Sequence, residues 1–218
     1  MAHIDRTEMI AVARHRSDIY GLLAVLYRQE PTRDLLKRVR GPQFLEVMSQ
    51  WGGELDDDFM TRPEDALLEE MAVEYTRLFL GPGKHVSPHE SVHHEREDGQ
   101  WGQLWGASTV EVRKFIEGTG LRYETKYRGL PDHIGVELEF LEALTRREEE
   151  AWEQDDEEGV RRCLDVERRF LDEHLFRWVA PFCDKVIAAA ELSFYRSLAS
   201  VTKRFIEFDR QECLRAES

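Results

Sequence analysis

The stretch PDHIGVELEFLEALTRREEEAWEQ, Pro131 to Gln154, decides the fold class. Its residues Ile134, Leu138, Leu141 and Thr145 recur at the spacing that places side chains on one side of an α-helix. Asp132 stands directly before this run, and its carboxylate can accept a hydrogen bond from a free backbone N–H of the first turn. The stretch therefore predicts an amphipathic helix with Asp132 as its N-cap.

The same helical periodicity recurs along the chain, whereas alternating strand patterns and hairpin turns are nearly absent. A capping-box pattern begins at Ser108, and Pro181 is expected to break or kink a long run that begins at Val160. We predict helices at about 5–29, 33–39, 42–50, 63–80, 108–118, 132–154, 160–181 and 182–208. The prediction is a single all-α domain over residues 1–218, with N-terminal helices in residues 1–60 and one long central loop.

Composition and charge narrow the functional classes. The chain has 218 residues, 41% of them hydrophobic and 34% charged, with a formal net charge of −14 and no Lys/Arg block. This charge disfavours a nucleic-acid binder. An acidic surface could steer a basic partner, but solubility is the better explanation of most of these charges. Three cysteines (Cys163, Cys183 and Cys213) without a C-x-x-C motif predict free thiols in a reducing compartment. No apolar stretch predicts a secretory signal or a membrane span, so we expect a cytoplasmic protein.

The predicted central loop, from about Gly81 to Trp101, is rich in histidine. It contains His85, His89, His93 and His94. Imidazoles at this density allow a metal site, but Pro88 disfavours a regular helix through them and no H-E-x-x-H motif is present. The sequence therefore favours hydrogen-bonding histidines and predicts no metal.

Two other catalytic interpretations have less support. Gly81-Pro82-Gly83-Lys84 lacks the spacing and the following Ser or Thr of a Walker nucleotide site. Asp132 and His133 could act as an acid–base pair in a hydrolase centre with His89, His93 and Glu137. No G-x-S-x-G nucleophile motif accompanies them. An enzyme is therefore unsupported by the residues alone.

A third interpretation is a groove for a peptide. Tyr75, Leu78 and Phe79 could offer apolar surface, while Asp132 and Glu137 could pair with arginine, whose guanidinium matches carboxylates bidentately. On composition alone, however, the three apolar residues are better explained as core. The residues by themselves leave these interpretations open.

Three ordered motifs bear on the choice. They are Tyr75-x-x-Leu78-Phe79-x-Gly81-Pro82, Pro88-x-x-Ser91-Val92, and Pro131-Asp132-His133-Ile134-x-x-Glu137-Leu138-x-Phe140-Leu141-x-x-Leu144. In this order they resemble the TorD/DmsD/NarJ family of redox-enzyme maturation chaperones. The C-terminal helices resemble it too, and the resemblance covers most of the chain from about Glu64 onward.

The resemblance implies a TorD-like helical bundle with no enzymatic role and no cofactor of its own. It implies a cytoplasmic chaperone that binds the twin-arginine signal peptide or N-terminal region of a molybdenum-cofactor oxidoreductase subunit. The chaperone would hold the apo subunit, assist cofactor insertion and proofread it before export. A monomer or a homodimer is compatible with it.

The resemblance also implies the binding residues. Carried over by motif, the peptide-binding residues are Tyr75, Leu78, Phe79, Gly81, Pro82, Pro88, Ser91, Val92, Asp132 and His133. Glu90 and Glu137 are further partners for arginine. The chain has His89-Glu90 where DmsD-like members have Trp-Gly, which removes an apolar anchor and leaves the client unidentified. The alternatives are a metal-dependent hydrolase that uses the His85–His94 loop with Asp132 and His133, and a NarJ-like assembly factor for a non-exported molybdoenzyme.

Overall fold

The computed structural model describes residues 5–81, 85–94, 102–121 and 129–215. Most of these residues are helical, and they contain no β-strand apart from one isolated antiparallel bridge between His89 and His133. The helices are α1 (Arg6–Arg28), α2 (Arg33–Val39), α3 (Pro42–Gln50), α4 (Asp57–Thr61), α5 (Glu64–Tyr75), α6 (Ala107–Gly118), α7 (Ile134–Glu153), α8 (Glu157–Phe170), α9 (Phe176–Ala189) and α10 (Ser193–Arg215). The all-α prediction is confirmed.

Short helical segments of other types interrupt this pattern. Thr76–Leu80 continues α5 as a π-helix, and Leu171–Leu175 joins α8 to α9 in the same way. A single 3₁₀ turn, Glu90–Val92, lies in the central loop. Insertions of π-helix are uncommon and are frequent at functional sites. Among the described residues, no helix has the length and apolar character required to cross a membrane.

The chain forms two compact units. The first contains residues 1–28, 89–177 and 208–218, and the second contains residues 29–88 and 178–207. In the first unit, α1 packs along α7, which in turn packs against α8. Phe115, Phe140 and Phe170 form an aromatic cluster there, with Phe140 and Phe170 ring centroids 4.7 Å apart. The single-domain expectation stays a prediction.

A buried charge cluster ties four helices of the first unit together. The Arg16 guanidinium donates to Glu148, Glu167 and Asp209, each at 2.5 Å, and all four side chains are nearly inaccessible to solvent. The Tyr20 hydroxyl donates to Asp209 at 2.5 Å. One guanidinium therefore faces three carboxylates, so the cluster carries excess negative charge, which protonation of one carboxyl reduces.

Glu167 is a carboxyl of this cluster with a raised pKa. Its burial, together with repulsion from Glu148 and Asp209, raises its pKa to about 8 against the opposing attraction of Arg16. Burial also raises the pKa of Glu148 and that of the neighbouring Cys163 thiol. The Oε1 atom of Glu167 is buried and accepts no hydrogen bond from the part of the chain that the structure describes. A neutral Glu167 is the consequence at neutral pH.

This raised pKa predicts a pH-dependent stability. The ordinary pKa of a glutamate is 4.5, and the pKa of Glu167 in the folded state is about 8. Between these two pH values the folded state keeps the Glu167 proton, whereas the unfolded state releases it. The contribution of Glu167 is therefore greatest below pH 4.5, decreases as the pH rises, and levels off above about 8. Because glutamine is permanently neutral, the Glu167→Gln variant should gain stability relative to the wild type between pH 5 and about 8.5. Urea unfolding across this range measures the difference; a difference independent of pH would contradict the assignment.

The second unit has its own aromatic core. Phe59 stacks on Phe194 with ring centroids 5.7 Å apart, and Phe79 contacts Phe182 and Tyr195 at 6.3 and 6.0 Å. The Tyr195 hydroxyl donates to the Met71 carbonyl oxygen at 2.8 Å, so this buried polar group is satisfied. These contacts join α5 to α9 and α10 within the unit.

Two predicted helix caps are wrong. His133, rather than Asp132, is the N-cap of α7, because its Nδ1 atom accepts from the Gly135 N–H at 3.0 Å. Asp132 directs its carboxylate to the Ser91 N–H instead. The capping box predicted at Ser108 does not form, since α6 begins at Ala107 after Gly106 without a side-chain cap. In both places a neighbouring residue displaces the expected cap.

The helix does not break at Pro181, although the sequence pattern predicted a break or a kink there. Pro181 lies inside α9, and the helical conformation is interrupted at Ala190–Leu192 instead. The predicted helix over 182–208 is therefore divided between α9 and α10. The Glu74 carboxylate accepts from the N–H groups of Glu191 and Leu192, the second at 2.9 Å. A buried carboxylate from distant sequence thus satisfies the backbone where α10 begins.

Candidate functional site

The end of α5 presents a different surface from the one predicted. Tyr75, Leu78 and Phe79 are buried, each less than 4% exposed, whereas the next residue, Leu80, is 57% exposed. The Gly81 N–H donates to the Thr76 carbonyl oxygen at 2.6 Å, which closes the wide π-turn. This turn allows the consecutive Leu78 and Phe79 to be buried together, so they belong to the core of the second unit.

The segment that begins at His85 is attached to this helix end. The Val86 N–H donates to the Leu78 carbonyl oxygen at 2.7 Å, and Val86 and Pro88 are buried. His85 is exposed. Pro82 was predicted as a peptide-binding residue and lies outside the described residues.

In the first unit, the 3₁₀ turn is fastened to the start of α7. The Glu90 N–H donates to the Asp132 carbonyl oxygen at 2.9 Å, and the Ser91 N–H donates to Asp132 Oδ2 at 3.0 Å. The His89 and His133 rings meet edge to face with centroids 5.0 Å apart. Two segments about 40 residues apart are therefore brought together here, as the motif comparison implied.

The polar atoms at this junction are incompletely paired. Asp132 is fully buried, yet its Oδ1 atom accepts no hydrogen bond from the described residues, and the buried Ser91 hydroxyl has no partner there either. An unsatisfied buried carboxylate oxygen is costly, and a donor that reaches it gains a charge-assisted hydrogen bond. Asp132 therefore offers an acceptor for an incoming N–H group.

His133 is held neutral beside Asp132. Burial lowers its pKa to about 3, and the nearby His89 ring and Arg28 guanidinium lower it further. Since Nδ1 accepts the Gly135 N–H, the single proton of the neutral ring is assigned to Nε2. His133 thus fixes the start of α7, and it does not form an ion pair with Asp132.

Glu90 is the centre of a hydrogen-bond network that the sequence did not predict. Its buried carboxylate accepts from His94 Nε2 at 2.9 Å and from His174 Nδ1 at 3.1 Å. Burial would raise the Glu90 pKa, but the hydrogen bonds and charges of His174 and His94 together lower it. The predicted arginine partner Glu90 is therefore already engaged, and the second one, Glu137, is fully buried on α7.

Two glycines also belong to this junction. A Cβ atom at Gly102 would lie 1.8 Å from the Ser91 carbonyl oxygen, so only glycine fits so close to the turn. A Cβ at Gly106 would lie 3.2 Å from the Ser91 Cβ. The sequence signal was the pair of glycines in WGQLWG, whose significance appears only with this close approach.

A metal centre, the alternative that the sequence disfavoured, has no support in the geometry of the described residues. Within the described ranges, no three or more His, Cys, Asp and Glu side chains are grouped so that they could hold a metal ion. His89 faces the His133 ring, and His94 faces Glu90. These histidines serve the packing and hydrogen bonding of the turn.

Comparison with known proteins places the chain in a family. Residues 28–184 match the family model described as nitrate reductase delta subunit. The chain belongs to this family. The predicted resemblance to the TorD/DmsD/NarJ group is confirmed, and the chain is a chaperone of redox-enzyme maturation.

Individual members of the family cover nearly the whole chain. A protein named Chaperone protein TorD from Shewanella pealeana is 24% identical over 220 residues, which is 95% of this chain and 93% of that protein. A TorD chaperone from Vibrio atlanticus is 26% identical over 92% of this chain and 95% of its own length. The fold is similar to a crystal structure from Archaeoglobus fulgidus described as a candidate redox enzyme maturation protein, with a TM-score of 0.53, 22% identity, and coverage of 88% and 93%.

The predicted peptide-binding residues divide between the two units. Tyr75, Leu78, Phe79, Gly81 and Pro88 belong to one unit, and Ser91, Val92, Asp132 and His133 to the other. All are buried except Gly81 and Val92, which are partly exposed. Their assignment to peptide binding stays a prediction.

Proposed function

We propose that this chaperone binds the twin-arginine signal peptide or N-terminal region of a molybdenum-cofactor oxidoreductase subunit in the cytoplasm. It holds the subunit until the cofactor is inserted and the subunit is ready for export. It catalyses no reaction of its own. The family supports the chaperone role, and the net charge of −14 supports attraction of an arginine-bearing leader.

A buried carboxylate oxygen of Asp132, unpaired among the described residues, is the observation that supports arginine recognition. Its Oδ1 is a buried carboxylate oxygen without a donor among the described residues, while Oδ2 is fixed by the Ser91 N–H. A guanidinium N–H would satisfy this oxygen in a low-dielectric setting, where a charge-assisted hydrogen bond is strong. Because Asp132 is fully buried, binding requires the turn at Glu90–Val92 to open toward the peptide.

The site should therefore distinguish arginine from lysine. We expect a peptide with two arginines followed by an apolar stretch to bind more tightly than its Lys-Lys counterpart, since only guanidinium is a planar fork of donors. Asp132→Asn should weaken the Arg-Arg peptide by roughly 10- to 100-fold, the value of a hydrogen bond to a charged group. Titration calorimetry measures both affinities.

Asp165→Asn is the matched control, because Asp165 is a half-exposed carboxylate of the same unit that pairs with Arg168. It should leave the affinity unchanged, and thermal unfolding should confirm that the Asp132→Asn variant is folded. Equal affinity of wild type and Asp132→Asn for the Arg-Arg peptide would exclude Asp132 as the arginine acceptor.

A further inference from the structure

An open groove lies along α5 in the second unit, on a surface that the proposed function does not use. Its volume is about 490 Å³, and its walls come from α5 and from Glu191 and Leu192, where α10 begins. Ala66, Val73 and Leu192 contribute apolar lining, and Val73 is 64% exposed. Ala66 and Val73 are seven residues apart, so they lie on the same side of the helix.

The groove is formed in advance of any binding. The buried Glu74 carboxylate fastens the backbone of Glu191 and Leu192 to α5. Arg77 donates to Glu74 at 2.9 Å and to the Ala189 carbonyl oxygen at 3.0 Å, which fastens the end of α9 to the same helix. A partner therefore meets walls that are already fixed, and little conformational entropy is lost on binding.

The remaining lining is acidic. Glu69, Glu70 and Glu191 contribute carboxylates, and Arg77 contributes a guanidinium that is engaged by Glu74 and lies 3.5 Å from Glu191. The groove thus combines the exposed aliphatic side chains of Ala66 and Val73 with excess negative charge. A second copy of this chain fits poorly, because the same carboxylates would face one another across a two-fold interface and the whole chain carries a charge of −14.

We propose that this groove docks an amphipathic helix of a partner protein, with an aliphatic row flanked on both sides by lysine or arginine. A helix suits the site because its side chains can pack between those of α5, and its aliphatic row would cover Val73. Its basic flanks would face Glu69 and Glu191. This contact is separate from recognition of an extended, arginine-tagged leader.

The test uses a fluorescent synthetic peptide of about three heptads, with leucines in one stripe and lysines beside it. Fluorescence anisotropy measures its binding to the full chain. Val73→Ser should weaken binding about tenfold through loss of a buried valine side chain. Glu191→Lys should weaken it about threefold and reduce its dependence on salt.

Two controls make the result specific. Val110→Ser changes a half-exposed valine on α6 of the other unit and should leave affinity unchanged. A peptide of identical composition with its leucines scattered around the helix should bind at least tenfold more weakly, because it lacks a continuous apolar stripe.

The proposal is overturned if the designed peptide does not bind, if the scattered peptide binds equally well, or if Val73→Ser and Val110→Ser behave alike. It is also overturned if Val73→Ser weakens the Arg-Arg leader peptide rather than the helix, or if it changes the sedimentation coefficient of the protein alone. Failure here leaves the Asp132 result unaffected, because the two tests use different peptides and different variants.

Discussion

Replacing Arg16 with methionine should destabilise the protein by about 3–5 kcal/mol, the usual cost of removing one partner from a buried ion cluster. Arg16 is 7% exposed and is the shared donor to Glu148, Glu167 and Asp209. Without the guanidinium, three buried carboxyl groups face one another with no cation between them. Part of the cost should be recovered at acid pH, where more of these groups can be protonated.

Arg14 provides the matched control for this substitution. It lies two residues earlier on the same helix and pairs with Glu149 and Glu153, but its side chain is 58% exposed. Arg14→Met should change stability by less than about 1 kcal/mol, as is usual for surface ion pairs. Urea unfolding of both variants measures the contrast. Equal effects of the two substitutions would show that burial of the Arg16 cluster does not govern its energetics.

Phe79→Ala should cost about 3–5 kcal/mol, as is typical when a large buried aromatic side chain is truncated. Phe79 is 3% exposed and contacts Tyr75, Phe182 and Tyr195. The truncation leaves a cavity among these rings that the surrounding helices can fill only in part. Thermal unfolding followed by circular dichroism measures the loss.

Leu80→Ala is the control, because Leu80 is the adjacent residue and is 57% exposed. It should change stability by no more than about 0.5 kcal/mol. If Phe79→Ala were as mild as Leu80→Ala, the position assigned to Phe79 in the core would be incorrect. Loss of peptide binding in Phe79→Ala would not by itself identify a contact, since the variant also loses core packing.

Local pattern was sufficient for most of the helices. The bounds expected for α2 and α3 agree with those of the structure, and α1 agrees to within one residue at either end. In these elements the apolar period, the terminal prolines and the turns all indicate the same conformation, so tertiary contacts change nothing. The family motifs were likewise visible as residues at fixed spacing.

Local pattern failed where a distant side chain competes for the backbone. Asp132 had the properties of an N-cap, but the Ser91 N–H, 41 residues away, takes its carboxylate and His133 becomes the cap. Glu74 accepts the Glu191 N–H where α10 begins from 117 residues away, a contact that no window of sequence contains. The Glu90 contacts with His94 and His174 depend on the same kind of long-range placement.

The amino-acid sequence alone determined the helical class, the order of most helices and the family, because these follow from side-chain periodicity and from motifs read in order. Only the tertiary structure decided which motif residues are buried, which carboxylates are already paired, and which buried carboxylate oxygens accept no hydrogen bond from the described residues. The physical reason is that burial and pairing depend on atoms brought together from far apart in the chain, and a residue's type fixes what it can bind but not what lies beside it.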